Sequence, residues 1–253
     1  GTLRNALSNK APNQTASAES CIPDVVRADE TAPPAAELPQ PVDAERYRRD
    51  AEWINNRLAG RSCSNPMLGN ALALAPVYRS LRMLASEWDR GDELAPVLIY
   101  GETGTGKELL SKLVHNLTRP DDAPFEALNA PGLTETLLES ELFGTVKGKA
   151  GTGSVDHDGY FPRTAGGTLF LDGMEDVPLR LQATLLRAVD KDGEYSRIGD
   201  SKTQKTRCRV IFATNQPPEK LMSAGKLRPD LVARCRHRLD LPPLCERKDD
   251  IPG

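Results

Sequence analysis

Residues 97–108 have the sequence Val-Leu-Ile-Tyr-Gly-Glu-Thr-Gly-Thr-Gly-Lys-Glu, an apolar run followed at once by a glycine-rich loop. Apolar residues at helical spacing after the loop predict a helix that begins at Lys107. The glycines let backbone N–H groups turn inward, and the helix N-terminus adds partial positive charge. Lys107 adds a full charge for the β- and γ-phosphates. The stretch predicts a nucleotide phosphate loop rather than an ordinary glycine-rich turn. The residues expected to bind ATP are Gly101, Glu102, Thr103, Gly104, Thr105, Gly106, Lys107 and Glu108.

The overall composition is that of a globular chain without a bias toward nucleic acid or membranes. The 253 residues are 38% hydrophobic and carry a formal net charge of −3, so no general attraction to nucleic acid is expected. No apolar run reaches the roughly 18 residues that a membrane-spanning helix needs. The five cysteines are widely spaced and form no Cys-x-x-Cys pair. We therefore expect a cytoplasmic protein with reduced thiols, no zinc site and no membrane partner.

The first 45 residues differ in composition from the rest of the chain. They contain six prolines and nine alanines, and three basic against seven acidic residues give them a charge of −4. Such a segment cannot bury enough apolar surface to offset the entropy of ordering it. We expect residues 1–45 to be a disordered linker and residues 46–253 to form one domain.

The apolar patterns after residue 42 predict an α/β architecture. Helices are expected over residues 43–58 and 70–89, and strands alternate with helices from Pro96 onward. Asp176 is expected to be the N-cap of the last predicted helix, with Pro178 in its first turn. The predicted strands are Val97–Tyr100, Phe125–Asn129, Thr168–Leu171, Val210–Thr214 and Arg238–Leu241, and the predicted helices are Lys107–Leu117, Thr134–Leu142 and Pro178–Val189. This alternation predicts a parallel five-stranded sheet with helices on both faces and a ligand at the carboxyl ends of the strands.

Two further strand ends carry polar residues suited to phosphate chemistry. Residues 166–172 form an apolar strand that ends in Asp172, where phosphate-loop nucleotidases place a magnesium ligand. The strand over residues 209–213 is followed by Thr214 and Asn215, which could orient a water near the γ-phosphate. Either feature alone is commonly turn chemistry. Their order behind the loop favours a nucleotide site.

From about Leu58 to Gly253 the chain resembles the AAA+ ATPase domain of sigma-54-dependent transcriptional activators, also called bacterial enhancer-binding proteins. The resemblance accounts for Glu108, because this family carries Glu where other phosphate loops carry the magnesium-binding Ser or Thr. The matching stretches are residues 101–108 (Walker A), 138–144 (the approach to the sigma-contacting loop), 166–172 (Walker B), 209–215 (the sensor I strand), 227–234 (the arginine-finger helix) and 241–252 (the exit from the α/β subdomain).

This resemblance implies a role for each matching position. Lys107 and the loop backbone would bind ATP, and Asp172 would bind Mg²⁺. Asn129 would couple the nucleotide state to a catalytic glutamate, and Thr214 and Asn215 would sense the γ-phosphate. The trans-acting fingers would be Arg228 and Arg234, each of which could also simply belong to a solvated helix face. Fingers in trans imply a homo-oligomeric ring, a hexamer in this family, that remodels sigma-54 RNA polymerase.

The chain departs from the family at the Walker B motif. The family has Asp-Glu, and the glutamate polarises the attacking water, whereas this chain has Asp172 followed by Gly173. Glycine offers no base, so we expect slow hydrolysis unless another acid serves. Glu175 and Asp176 lie two and three positions further on, and a side chain at another position should point elsewhere.

A second departure lies in the sigma-contacting loop. The family sequence is Gly-Ala-Phe-Thr-Gly-Ala, whereas residues 148–154 read Gly-Lys-Ala-Gly-Thr-Gly-Ser and lack the aromatic residue. The contact with sigma-54 is therefore in question. The family's helical lid and helix-turn-helix domain would follow Gly253, so we expect both to be absent here and DNA to be contacted only through such a domain. The alternative functions are a degenerate nucleotide-binding scaffold or sensor with little hydrolysis, and a truncated product without independent activity.

Overall fold

The central feature of the fold is a five-stranded parallel sheet. The computed structural model describes residues 43–59, 61, 69, 71–91, 95–146 and 156–250. The sheet has the strand order β2-β3-β6-β1-β7, and every neighbouring pair is parallel. Its strands are β1 (Val97–Tyr100), β2 (Phe125–Asn129), β3 (Thr168–Asp172), β6 (Arg209–Thr214) and β7 (His237–Asp240). The predicted parallel sheet is confirmed.

Helices cover both faces of this sheet, because the strands are apolar on both sides. Neighbouring residues of one strand belong to different core clusters: Phe170 lies on one face and Leu169 on the other. One face packs against α1 (Ala44–Leu58), α2 (Ala75–Asp89) and α3 (Lys107–Thr118). The other packs against α4 (Glu135–Phe143), α5 (Tyr160–Arg163), α6 (Leu179–Ala188), α7 (Pro218–Ser223) and α8 (Pro229–Arg234).

The described part of the chain begins with the cap of a helix. The Asp43 side chain accepts hydrogen bonds from the backbone N–H groups of Glu45 and Arg46, at 3.0 and 3.1 Å. This satisfies the free donors of the first turn of α1. Residues 44 and 45 are therefore helical, two residues earlier than the predicted domain start. The rest of the predicted linker, residues 1–42, lies outside the described residues. The helix predicted over 70–89 is α2, which a 3₁₀ turn over Leu72–Leu74 precedes.

The predicted cap at Asp176 is wrong. Gly173 has a left-handed backbone and begins a 3₁₀ turn over Met174–Asp176, which the bond from Asp176 N–H to the Gly173 carbonyl closes at 3.0 Å. Because this turn takes up the chain, α6 begins only at Leu179, with Pro178 at its N-cap position and without a side-chain cap. Asp176 is left exposed.

A small hairpin, not predicted from the sequence, lies beside Thr145, which precedes the segment expected to contact sigma-54. Strands β4 (Glu194–Ser196) and β5 (Thr203–Lys205) pair antiparallel, and the ring of Tyr195 lies 5.2 Å from that of Phe161. Thr145 forms bridges with both His157 and Ile198, so the two ends of the segment are held together against the hairpin. The segment itself, including residues 148–154, lies outside the described residues.

No helix within the described ranges is both long and apolar enough to cross a membrane.

Candidate functional site

The predicted site residues other than the two arginine fingers lie along the carboxyl edge of the sheet. Tyr100 is in register with Thr214, so the loop after β1 and the residues after β6 begin side by side. Asn129 is in register with Asp172 at the ends of β2 and β3. Since parallel strands bring their carboxyl ends to one edge, residues far apart in sequence become neighbours there.

The glycine-rich loop turns tightly between β1 and α3. Its first residue, Gly101, donates its N–H to the Thr214 carbonyl at 3.2 Å. Gly104 and Gly106 have φ values of +83° and +96°, a conformation that residues with a side chain rarely adopt. The Thr105 hydroxyl donates to the Glu102 carbonyl at 2.7 Å and closes the turn. Helix α3 then begins at Lys107, as predicted.

Lys107 connects this loop to the end of β6. Its side chain is buried, and its ammonium donates to the carbonyls of Gly101 and Glu102, at 3.0 and 3.2 Å. A third hydrogen bond goes to the Oδ1 atom of Asn215. An ammonium has three donors, so all three are used. The positive charge is thereby held at the mouth of the loop, beside the residue predicted to sense the γ-phosphate.

Asp172 supplies a carboxylate at the same edge. Its Oδ1 atom accepts the Gly173 N–H at 3.0 Å, and the side chain is partly buried. Burial raises the pKa of Asp172, an effect that the positive charge of Lys107 opposes, while the charges of Glu175 and Glu108 raise the pKa further. Carboxylate oxygens suit Mg²⁺, and a bound cation would offset the cost of this crowded negative charge. The loop and Asp172 together fit a magnesium nucleotide.

The remaining predicted residues differ in how closely they approach this centre. Asn215 reaches Lys107, whereas the Thr214 hydroxyl bonds the backbone of Gln216 and closes a turn. Asn129 is exposed at the end of β2. Glu108 pairs with Lys112 at 2.7 Å along the surface of α3. The side chain of Glu108 therefore faces along the helix, and its backbone N–H belongs to the first turn that borders the loop.

Gly173 has a left-handed backbone at which a side chain would collide with a neighbouring residue. Its φ is +82°, and a Cβ placed on it would lie 2.3 and 2.7 Å from the Cδ and Cγ atoms of Pro131. A glutamate cannot take this place without moving the proline ring. The sequence shows the glycine but not this packing, because the two residues are 42 positions apart.

Glu175 turns back toward the site, contrary to the expectation that it would point elsewhere. Its Oε1 atom accepts the backbone N–H of Asn215 at 3.2 Å. Its Oε2 atom is inaccessible to solvent and has no hydrogen-bond partner among the described residues. The 3₁₀ turn after Gly173 explains this direction, since it curls the chain toward the end of β6. A carboxylate therefore does stand beside the residue that holds Lys107.

Arg247 is a further residue at the loop to which the sequence assigned no role. It is buried, and it donates to the Thr105 carbonyl in the loop and to the Pro242 carbonyl at 3.2 Å. The Leu241 N–H also binds the Tyr100 carbonyl, at 2.7 Å. The segment after β7 is therefore fastened to the phosphate loop.

The two predicted fingers lie on another part of the surface. Arg228 makes two hydrogen bonds to the carboxylate of Asp230, at 3.0 and 2.6 Å. Arg234, at the end of α8, pairs with Asp190 at 2.7 Å. Both guanidinium groups are exposed to solvent, at 37% and 43%. Within the described part of the chain they pair with these acids and not with the loop.

A phosphate loop, an amide at the end of the neighbouring strand and an acid at the end of the next strand define a phosphate-loop nucleotide-binding domain. Comparison with known proteins identifies it further, because the model of the sigma-54 interaction domain matches residues 69–239. The chain belongs to this family, the AAA+ domain of sigma-54-dependent activators.

The relatives are transcriptional regulators. The Nif-specific regulatory protein of Azospirillum lipoferum is 41% identical over 209 residues, which are 82% of this chain and 33% of that protein. The DNA-binding transcriptional regulator NtrC of Salmonella typhimurium is 41% identical over 187 residues, 74% of this chain and 38% of the relative. The crystal structure of NtrX from Brucella abortus in complex with ATP is 28% identical with a TM-score of 0.61, and covers 81% of this chain and 44% of that one. The chain thus spans less than half the length of each.

Proposed function

We propose that this domain binds ATP with Mg²⁺ at the phosphate loop and acts in a homo-oligomeric ring, a hexamer, that remodels the sigma-54 RNA polymerase complex. The observation that carries the proposal is the position of Lys107, whose buried ammonium joins the loop carbonyls to Asn215. Membership of the family and the ATP complex of NtrX support it. In this proposal DNA is contacted only through a further domain.

Each residue of the site would have a separate role in binding the magnesium nucleotide. The loop N–H groups and the N-terminus of α3 would hold the phosphate oxygens, and Lys107 would exchange Asn215 for a phosphate oxygen. Asp172 would hold Mg²⁺, which neutralises charge that develops on the phosphates. Asn215, once released, would be free to report whether a γ-phosphate is present. The Asn129 side chain, on the neighbouring strand end, would transmit that state.

The fingers would act on the nucleotide of the adjacent subunit. Arg228 and Arg234 are held by exposed ion pairs to Asp230 and Asp190. Exposed ion pairs contribute little to stability, so a neighbour's phosphate could displace the carboxylates at small cost. Arginine carries the charge needed to stabilise a transferring phosphoryl group.

One observation favours a second function, a nucleotide-binding scaffold that hydrolyses little ATP. This chain has Gly173 in place of the family's glutamate. Pro131 also fills the space that a side chain at this position would need. The altered sequence of residues 148–154 is consistent with such a change of role.

Mixing two inactive variants separates the two functions. Lys107→Ala should lose ATP binding but keep its fingers, and Arg234→Ala should keep ATP binding but lose a finger. If hydrolysis needs fingers in trans, each variant should be nearly silent and an equimolar mixture should recover part of the wild-type turnover. A wild type that turns over ATP while the mixture stays silent would contradict the ring mechanism. A wild type that binds ATP without turnover would establish the scaffold instead.

A further inference from the structure

The Walker B strand ends in Asp172 and Gly173, without the family's glutamate, yet the carboxylate of Glu175 lies nearby. Gly173 offers no side chain, and its backbone cannot easily accept one. Glu175 leaves the 3₁₀ turn two residues later and reaches the first residue after β6, Asn215, at 3.2 Å. We infer that Glu175 is the catalytic carboxylate of this domain, in the role that the residue at position 173 cannot fill.

The contacts of Glu175 place its carboxylate at the end of β6, beside the residue that binds Lys107. Its Oε1 atom holds the backbone of Asn215, and the side chain of the same residue holds Lys107. The carboxylate is also close enough to Asp172 for their charges to interact. Glu175 is thus linked to the phosphate-binding lysine through one residue, and it neighbours the expected magnesium ligand.

The second oxygen of this carboxylate distinguishes Glu175 from the other acids nearby. The Oε2 atom is inaccessible to solvent and has no hydrogen-bond partner among the described residues. Buried polar atoms almost always have partners, and exceptions call for an explanation such as a catalytic role. Glu108 forms an ion pair with Lys112 on the surface, and Asp176 is exposed to solvent. Of these three carboxylates within the described residues, only Glu175 has a buried acceptor atom that no hydrogen bond uses.

The reaction assigned to it is the activation of water. The water oxygen forms a bond to the γ-phosphorus while the bond from that phosphorus to the β,γ-bridging oxygen breaks. The electron pair of the broken bond stays with ADP. The proton of the water passes to the Glu175 carboxylate and from there to solvent, so the products are ADP, inorganic phosphate and a proton. In this mechanism the carboxylate of Glu175, in the 3₁₀ turn, accepts the proton that the family's glutamate at position 173 would accept.

This inference rests on the proposed ATPase function, so its test measures binding and turnover separately on the 253-residue chain. Glu175→Gln keeps the size and the Oε1 acceptor for the Asn215 N–H but removes the charge. Asp176→Asn is the matched control, since it removes the adjacent exposed acid. Affinity for a fluorescent ATP analogue, ATP turnover with Mg²⁺ and the urea midpoint would be measured for wild type and both variants.

The expected result is a loss of turnover of about 100-fold or more in Glu175→Gln, the usual contribution of a general base. ATP affinity and the urea midpoint should stay close to wild type, and Glu175→Asp should recover part of the turnover. Asp176→Asn should match wild type. Turnover within fivefold of wild type in Glu175→Gln would overturn the inference, as would a parallel loss of binding, which marks a structural role. A wild type that binds ATP but never turns over would overturn the inference and leave the binding site intact. A wild type that does not bind ATP would overturn the proposed function as well.

Discussion

A methyl group added at Gly173 tests whether Pro131 leaves no room for a side chain at the Walker B strand end. Gly173→Ala places a Cβ at a φ of +82°, where it would lie 2.3 Å from Cδ of Pro131. The left-handed conformation costs a residue with a side chain about 1–2 kcal/mol. Overpacking against the rigid ring adds about 1–3 kcal/mol. The expected loss in the free energy of unfolding is therefore about 2–5 kcal/mol.

The loop that contains Pro131 also provides a control for the backbone cost alone. Gly132 has a φ of +83°, and a Cβ placed on it would meet no atom within 4 Å. Gly132→Ala should therefore cost only the conformational part, about 1–2 kcal/mol. Adding Pro131→Ala removes the ring, so Gly173→Ala in that background should cost no more than Gly132→Ala. The two substitutions should couple by about 1–3 kcal/mol in a double-mutant cycle.

Urea unfolding of the single and double variants measures these differences. If Gly173→Ala costs no more than Gly132→Ala, the contact with Pro131 carries no energy and the packing explanation is wrong. A practical consequence follows for restoring the family's catalytic pair. Gly173→Glu alone should destabilise the site through its clash with Pro131. The added glutamate should act as a base only when Pro131→Ala is also present.

Three further predictions concern buried charges and hydrogen bonds. Asp172→Asn should stabilise the nucleotide-free chain at pH 7. Burial raises the pKa of Asp172, so the stability that this group contributes is lost as pH rises through its titration. A lower urea midpoint at pH 7 would contradict this. The chain should lose up to roughly 3 kcal/mol of stability as pH falls from 6.5 to 4, since burial lowers the pKa of His115 from 6.5 to about 4 and the unfolded chain takes up the proton first. His115→Gln should flatten this part of the urea profile, and an unchanged slope would refute the assignment. Arg247→Met should weaken ATP binding about tenfold, because the Thr105 carbonyl loses a buried donor worth about 1–3 kcal/mol; nucleotide titration with unchanged affinity would show that this bond does not hold the loop.

The main architecture could be predicted because it follows from local patterns. Short apolar runs bounded by turn residues located all five strands of the central sheet to within one residue at each end. The phosphate loop was equally predictable, since glycine spacing and the lysine act over eight consecutive residues. Alternation of strands and helices then placed Asp172 and Asn215 at the edge where Lys107 lies.

Features that depend on contacts between distant residues could not be predicted in this way. The hairpin of β4 and β5 consists of two three-residue strands whose stability comes from Tyr195 packing on distant aromatic rings. The direction of Glu175 follows from the left-handed Gly173, and the need for that glycine follows from Pro131. Counting positions along a regular strand therefore gave the wrong direction for this side chain.

Binding of ATP is the claim on which the account depends most directly. Isothermal titration of the 253-residue chain with ATP and Mg²⁺ would test it, beside Lys107→Met, which keeps the length of the side chain but removes the charge. We expect wild-type binding with a Kd of about 1 μM to 1 mM, the range in which most enzyme KM values fall. It also predicts a loss of at least tenfold in the variant, because Lys107 places its charge at the mouth of the loop. Wild-type protein that fails to bind ATP, or a folded Lys107→Met variant that binds as well as wild type, would contradict the account.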